Sequence, residues 1–209
     1  METSKTADQS ELLFNRLTKR YRHLSKWAKR TGTNAFRLYD RDIPEIPLVL
    51  DLYGDAVSGA VYKKPNDYTD GEPGQQSTEA WLAAMQETIS RAINVNEGHI
   101  FLKERRRLNQ RQKTGNQYGR LQTKNIYRDA IEGDLIFRVN VSDYLDTGLF
   151  LDARKKRALI RSEANGKRVL NLFAYTSTLS VCAAKGGARQ VDSVDLSKTY
   201  LEWGKVISP

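Results

Sequence analysis

The residues of this 209-residue chain best placed to do chemistry lie in VLNLFAYTSTLSVCAAKGGARQVDSVDLS, positions 169–197. A strand-like apolar run reaches Phe173, a turn of Ala174, Tyr175, Thr176 and Ser177 opens an Ala-rich helix, and a second strand ends on Asp195. Asp195 comes 22 residues after Phe173, close to the spacing at which an acid accepts hydrogen bonds from the ribose hydroxyls of an adenosine cofactor. A dinucleotide would also need glycines in the turn, so that backbone N–H groups can approach its pyrophosphate. None occurs between Phe173 and Ser180, and no GxxxxGK[ST] phosphate loop is present. A site that takes a ribose but no phosphates suits S-adenosylmethionine, an adenosine bearing a sulfonium and an amino-acid tail. The competing reading is a plain βαβ unit in which Asp195 caps the next helix.

Other chemistries have few candidates. Cys182 is the single cysteine, which excludes an internal disulfide framework and a Cys-rich zinc site. It falls inside the Ala-rich helix as a core residue, so a cytosine-5 mechanism lacks its nucleophile. His23 and His99 are the only histidines, too few for a His-based metal centre, and no metal site is expected.

Helices and hairpins must position these residues. Leu13, Leu17, Tyr21, Leu24 and Ala28 recur at helical spacing, giving an amphipathic helix over 11–31 that stops before Gly32. Its opposite face carries Arg16, Lys19, Arg20, Arg22, Lys26, Lys29 and Arg30 with no acid between Leu12 and Thr31. That face is either simply solvated or a phosphate-tracking surface. Strands follow over 35–39, 48–53 and 56–62, the last two joined at Gly54-Asp55. Residues 63–77 are turn-rich and expected as an exposed loop, 78–94 return to helical period, and a strand is expected near 99–103. A second hairpin pairs 125–130 with 135–141, and a basic helix over 151–164 precedes the strand that opens at Val169.

The charge is lopsided. Thirty-four Lys plus Arg against 25 Asp plus Glu give +9 and a pI near 9.6, which favours an anionic partner, nucleic acid first. Between Lys103 and Arg128 the basic residues crowd around one acid, Glu104, with Tyr118 and Tyr127 interleaved. Arg105, Arg106, Arg107, Arg111, Lys113 and Arg120 are candidates for phosphates, Tyr118 for stacking on an unpaired base, and Asn116 and Gln117 for a base edge. Residues 1–10 are polar and read as a disordered tail without a signal-peptide core. No stretch has the ~18 consecutive apolar residues of a membrane span, so no membrane partner and a cytoplasmic location are expected.

Two motifs together carry a family resemblance: DYLDTGLFLDARKKR at 143–157, and VLNLFAYTSTLSVCAAKGGARQVDSVDLSKTYLEW at 169–203. They resemble the methyltransferases that modify bacterial large-subunit ribosomal RNA. The likeness is strongest to the C-terminal, N7-methylguanosine-forming half of the bifunctional 23S rRNA guanine methyltransferases. LFNRLTKRYRHLSKWAKR, FRLYDRDIPEIP and ERRRLNQRQKTGNQYGRL support it, so that it covers about 11–203.

The resemblance implies an α/β chain. An α+β RNA-binding domain would span 11–122, a linking β-hairpin 123–145, and the first part of a class I, Rossmann-like methyltransferase domain 146–209. It implies S-adenosylmethionine as cofactor, bordered by Thr147, Phe150, Asp152 and Arg154. Phe173, Tyr175, Thr176 and Ser177 would form the first turn, Asp195 would take the ribose, and Leu196 and Ser197 would lie beside the adenine. The implied partner is 23S ribosomal RNA.

Two departures from the family pattern stand out. Thr176-Ser177-Thr178 replaces the usual Thr-Gly-Ser, which a serine accommodates if its φ is negative. The Asn/Asp-Pro-Pro-aromatic segment of the reaction centre is missing. The chain is therefore expected to supply an RNA surface and the first half of a cofactor site, and to be inactive alone. Strands 169–173 and 191–194 would need a homo-oligomeric partner or a complementing C-terminal half to cover them. The alternative is a non-catalytic RNA-binding or assembly module that uses the C-terminal segment for oligomerisation; a nicotinamide-dependent oxidoreductase is the weaker rival.

Overall fold

The computed structural model describes residues 2–62, 74–105, 121 and 123–207. Helix α1 (Glu2–Thr31) is followed by strands β1 (Ala35–Asp40), β2 (Leu48–Tyr53) and β3 (Ala56–Tyr62), then helix α2 (Gly74–Ile93) and strand β4 (Ile100–Arg105). These strands form one sheet in the order β1-β2-β3-β4, antiparallel except for the β3/β4 pair, which is parallel because α2 carries the chain back to the starting end. Helix α2 begins at Gly74, ahead of the Thr78 start that periodicity suggests.

Alternation along the strands sorts the sheet's two faces. Leu48, Leu50 and Leu52 of β2 pack with Leu13, Leu17, Met85 and Ile89 of the two helices in one core. Ala35, Tyr53, Ala56 and Phe101 turn to the other face. There they meet the hairpin of β5 (Tyr127–Glu132) and β6 (Leu135–Asn140) and the residues Leu149, Val181 and Cys182. This second core joins the N-terminal sheet to everything after it.

Where the sequence reads as a disordered tail at 1–10, α1 begins at Glu2. Gln9 is buried, donating to the Glu45 carbonyl at 3.1 Å and accepting from Trp81 Nε1 at 2.7 Å. Polar composition alone could not reveal these distant partners. At its other end α1 stops where Gly32 takes φ +64°.

After β6 come a 3-10 turn (Leu151–Ala153), α3 (Arg154–Glu163), β7 (Arg168–Leu172), α4 (Thr178–Lys185), β8 (Gln190–Val194) and α5 (Lys198–Ile207). β7 and β8 pair in parallel, Leu170 opposite Asp192 and Leu172 opposite Val194. α4 covers one face of this pair through Asn171, Ser180 and Ser193, whereas Leu170, Leu172 and Val194 on the other face are exposed. No helix among the described residues is long and apolar enough to cross a membrane.

Candidate functional site

The site forms where β7 and β8 end side by side. Ala174 N–H reaches the Val194 carbonyl at 3.0 Å, and Ser177 N–H closes the turn on the Ala174 carbonyl at 2.7 Å. The Asp195 carboxylate lies between the two strand ends: one oxygen accepts Tyr175 N–H and the other Ser197 N–H, each at 2.8 Å. A carboxylate has about four lone-pair sites. Two N–H donors therefore orient it and leave capacity for a pair of ribose hydroxyls.

The turn adopts an uncommon backbone. Phe173, Tyr175 and Ser177 have φ of +55°, +50° and +58°. Three side chains in the left-handed region within five residues mark a conformation that the surroundings enforce. The condition that Ser177 keep a negative φ is thereby corrected; it is held instead in the region that favours glycine. Phe173 is 87% exposed and Leu196 fully exposed, so both apolar side chains flank open space beside Asp195.

A row of aromatic rings supports the turn. Tyr175 lies 5.1 Å from Phe150 and 4.5 Å from Tyr200 between ring centroids, and Trp203 of α5 stands 5.5 Å from Tyr144. Gly148 takes φ +97° against Trp203, where a Cβ would come within 2.7 Å of the indole. Its carbonyl accepts the Thr176 hydroxyl. The Thr147 hydroxyl donates to Tyr53 OH at 2.8 Å, which fastens the 147–150 segment to β2.

Of the expected cofactor residues, the fold gathers Phe150, Phe173, Tyr175, Thr176, Ser177, Asp195, Leu196 and Ser197. Thr147 and Thr176 are buried, with their hydroxyls on Tyr53 OH and the Gly148 carbonyl. Asp152 lines a polar cleft of about 190 Å³ that also includes Arg37, Tyr62, Arg105 and Asp146. Arg154, expected beside the cofactor, bonds Glu132 at 3.1 Å and the Ala35 carbonyl and stacks on Trp27 at 5.2 Å.

Its neighbour Arg157 is 2% exposed, bonds both Glu132 oxygens and donates to the Phe150 carbonyl at 2.8 Å. Sequence reasoning missed Arg157, Tyr200 and Trp203, although all three stand inside the quoted motifs. Cys182 is buried, and burial pushes its thiol up to about 11, leaving no thiolate for nucleophilic work. Among the described residues no cluster could hold a metal ion.

Of the RNA-contact candidates, Arg105 is described: it pairs with Asp146 at 3.4 Å and donates to Tyr62 OH at 3.2 Å. Arg106, Arg107, Arg111, Lys113, Asn116, Gln117, Tyr118 and Arg120 lie outside the described residues.

The structure thus brings together a parallel strand pair, a glycine-free turn and an acid held at the two strand ends. The chain belongs to the S-adenosylmethionine-dependent methyltransferase family, whose model matches residues 75–207. It is 44% identical over 205 residues to the ribosomal RNA large subunit methyltransferase K/L of Pseudomonas fluorescens Pf-5, and 43% identical over 204 residues to that of Pseudomonas entomophila. Those alignments cover 98% of this chain, which spans about a quarter of either relative's length, 26% and 27%. Among solved structures, a proposed S-adenosylmethionine-dependent methyltransferase from Streptococcus mutans matches with a TM-score of 0.66 and 26% identity, over 95% of this chain and 48% of that one. A proposed methyltransferase crystallised with S-adenosylhomocysteine matches with a TM-score of 0.64 and 25% identity, over 94% of this chain and 47% of that one.

Proposed function

We propose that this chain works within a cytoplasmic 23S ribosomal RNA guanine-N7 methyltransferase, holding S-adenosylmethionine at the 173–177 turn and RNA on its N-terminal domain. The single observation that carries the reading is the Asp195 carboxylate, oriented by Tyr175 and Ser197 N–H between the exposed Phe173 and Leu196. Asp195 would accept the ribose hydroxyls, the two apolar side chains would flank the adenine, and the turn would face the methionine end. When bound, the cofactor supplies a methyl group on a sulfonium, a good leaving group.

Guanine N7 carries its own lone pair, so this chain need provide no nucleophile and no base. Its residues would align the partners and exclude water. That demand agrees with a buried, protonated Cys182 and with the absence of histidine from the site. Seating an extruded base takes a polar edge-reader and an aromatic face. Since Phe173 and Leu196 stand open, this chain offers one wall of such a site and is expected to bind cofactor without turning over alone. A second chain, another copy or a complementing C-terminal half, would cover Leu170, Leu172 and Val194; sedimentation velocity of Leu170→Glu against the parent tests this.

The reaction itself is tested by N7-methylguanosine-specific cleavage of 23S rRNA. Cells lacking the gene that carries this sequence should lose one cleavage signal, which the unaltered gene restores and an Asp195→Ala version does not. An unchanged cleavage pattern would contradict the proposal.

A further inference from the structure

The outer face of α1 is strongly charged. Lys19, Arg22, Lys26, Lys29 and Arg30 are all exposed and share one face at intervals of three and four residues. They span about 16 Å at 1.5 Å per residue, comparable to the rise of four to five phosphates along one strand at ~3.4 Å each. Arg16 and Arg20 are already engaged with Asp42, at 2.8 and 3.7 Å. The five beyond them have no ion pair among the described residues. Lys29 and Arg30 also complement the helix C-terminus, but the dipole falls off within one turn and gives no reason for Lys19, Arg22 and Lys26.

A groove lies beside this face. It runs between α1 and β1, with His23, Trp27, Phe36, Arg37 and Asp152 on its walls. Arg37 and Asp152 also line the polar cleft that contains Tyr62, Arg105 and Phe150. Phe150 in turn stacks on Tyr175 of the turn at 5.1 Å. The cations therefore flank a groove that shares walls with the cleft next to the turn.

We propose that the outer face of α1, through Lys19, Arg22 and Lys26, holds the phosphodiester backbone of the RNA whose base is delivered to the site. The inference rests on the reading of RNA as substrate. It adds the residues of α1 to the candidates that the sequence places at 105–120.

The test measures binding of a labelled 23S rRNA stem-loop to the full chain across a potassium chloride series. Each phosphate contact contributes about 0.7 to 0.9 to the slope of log affinity against log salt. Lys19→Gln/Arg22→Gln/Lys26→Gln should flatten the slope by about 2 and weaken binding about 10- to 100-fold at 100 mM salt. Glutamine is a good helix former at exposed positions, so circular dichroism should remain unchanged. Lys155→Gln/Lys156→Gln/Lys167→Gln, equal in charge and elsewhere on the surface, should leave the slope intact. An unchanged slope in the α1 variant, or an equal fall in the control, overturns the inference and leaves the RNA reading standing. No salt-dependent RNA uptake by the parent removes both, and uptake of phosphatidylglycerol vesicles instead, through the same three residues, would assign the face to a membrane.

Discussion

Ser177 and Gly204 are packed so closely that a Cβ on Gly204 would stand 2.9 Å from the Ser177 Cβ and 3.1 Å from the Thr176 carbonyl. The serine keeps a left-handed backbone, φ +58°, and makes no cap hydrogen bond to α4. The missing side chain at 204 gives room for the one that the turn carries at 177.

Ser177→Gly should therefore relieve backbone strain of about 1 kcal/mol without loss of a hydrogen bond, raising the melting temperature and tightening S-adenosylhomocysteine binding. Gly204→Ala should destabilise by about 1–3 kcal/mol, and the double variant should recover part of that loss. Thermal denaturation of all three checks the coupling; strict additivity would mean that the two positions do not communicate.

Arg157 and Glu132 form the most deeply buried ion pair among the described residues, with side chains 2% and 9% exposed. Arg157→Met should cost about 3–5 kcal/mol in urea unfolding, because it leaves Glu132 short of a partner and frees the Phe150 carbonyl. Glu132→Gln combined with Arg157→Met should cost less than the single change. A single-variant cost below 1 kcal/mol would show that Arg154 alone satisfies Glu132.

Lys103 is 7% exposed, with its ammonium on Ser58 Oγ at 3.1 Å and the Tyr144 carbonyl at 2.6 Å. Burial pulls its pKa down to about 8, with Asp146 and Asp143 opposing. The folded chain thus binds fewer protons than the unfolded one above pH 8, so this group's contribution to stability rises with pH. It should amount to about 2 kcal/mol between pH 8 and 9.5. The buried Cys182 thiol, at about 11, acts oppositely above pH 9. The difference between parent and Lys103→Met isolates the lysine, and parallel stability curves over that range would contradict the assignment.

Short-range pattern made much of this molecule legible. The strand-turn-helix-strand run and the acid at 195 are local, and the structure brings them together because the β7/β8 pairing needs nothing distant. The partners of Arg154 were not legible because a motif assigns a stretch to a place, whereas the acceptors it meets, Glu132 and the Ala35 carbonyl, lie 22 and 119 residues off. Gln9 and the start of α1 were hidden for the same reason. The room for the Ser177 side chain depends on an absent Cβ at position 204, which no reading of residues 173–178 contains.

Calorimetric titration of the chain with S-adenosylhomocysteine, beside Asp195→Ala, tests the account most directly. Saturable 1:1 binding by the parent and its loss in a variant that remains folded is the result predicted from the carboxylate's place between Tyr175 and Ser197. Equal binding by both would contradict it, since the ribose would then be held elsewhere.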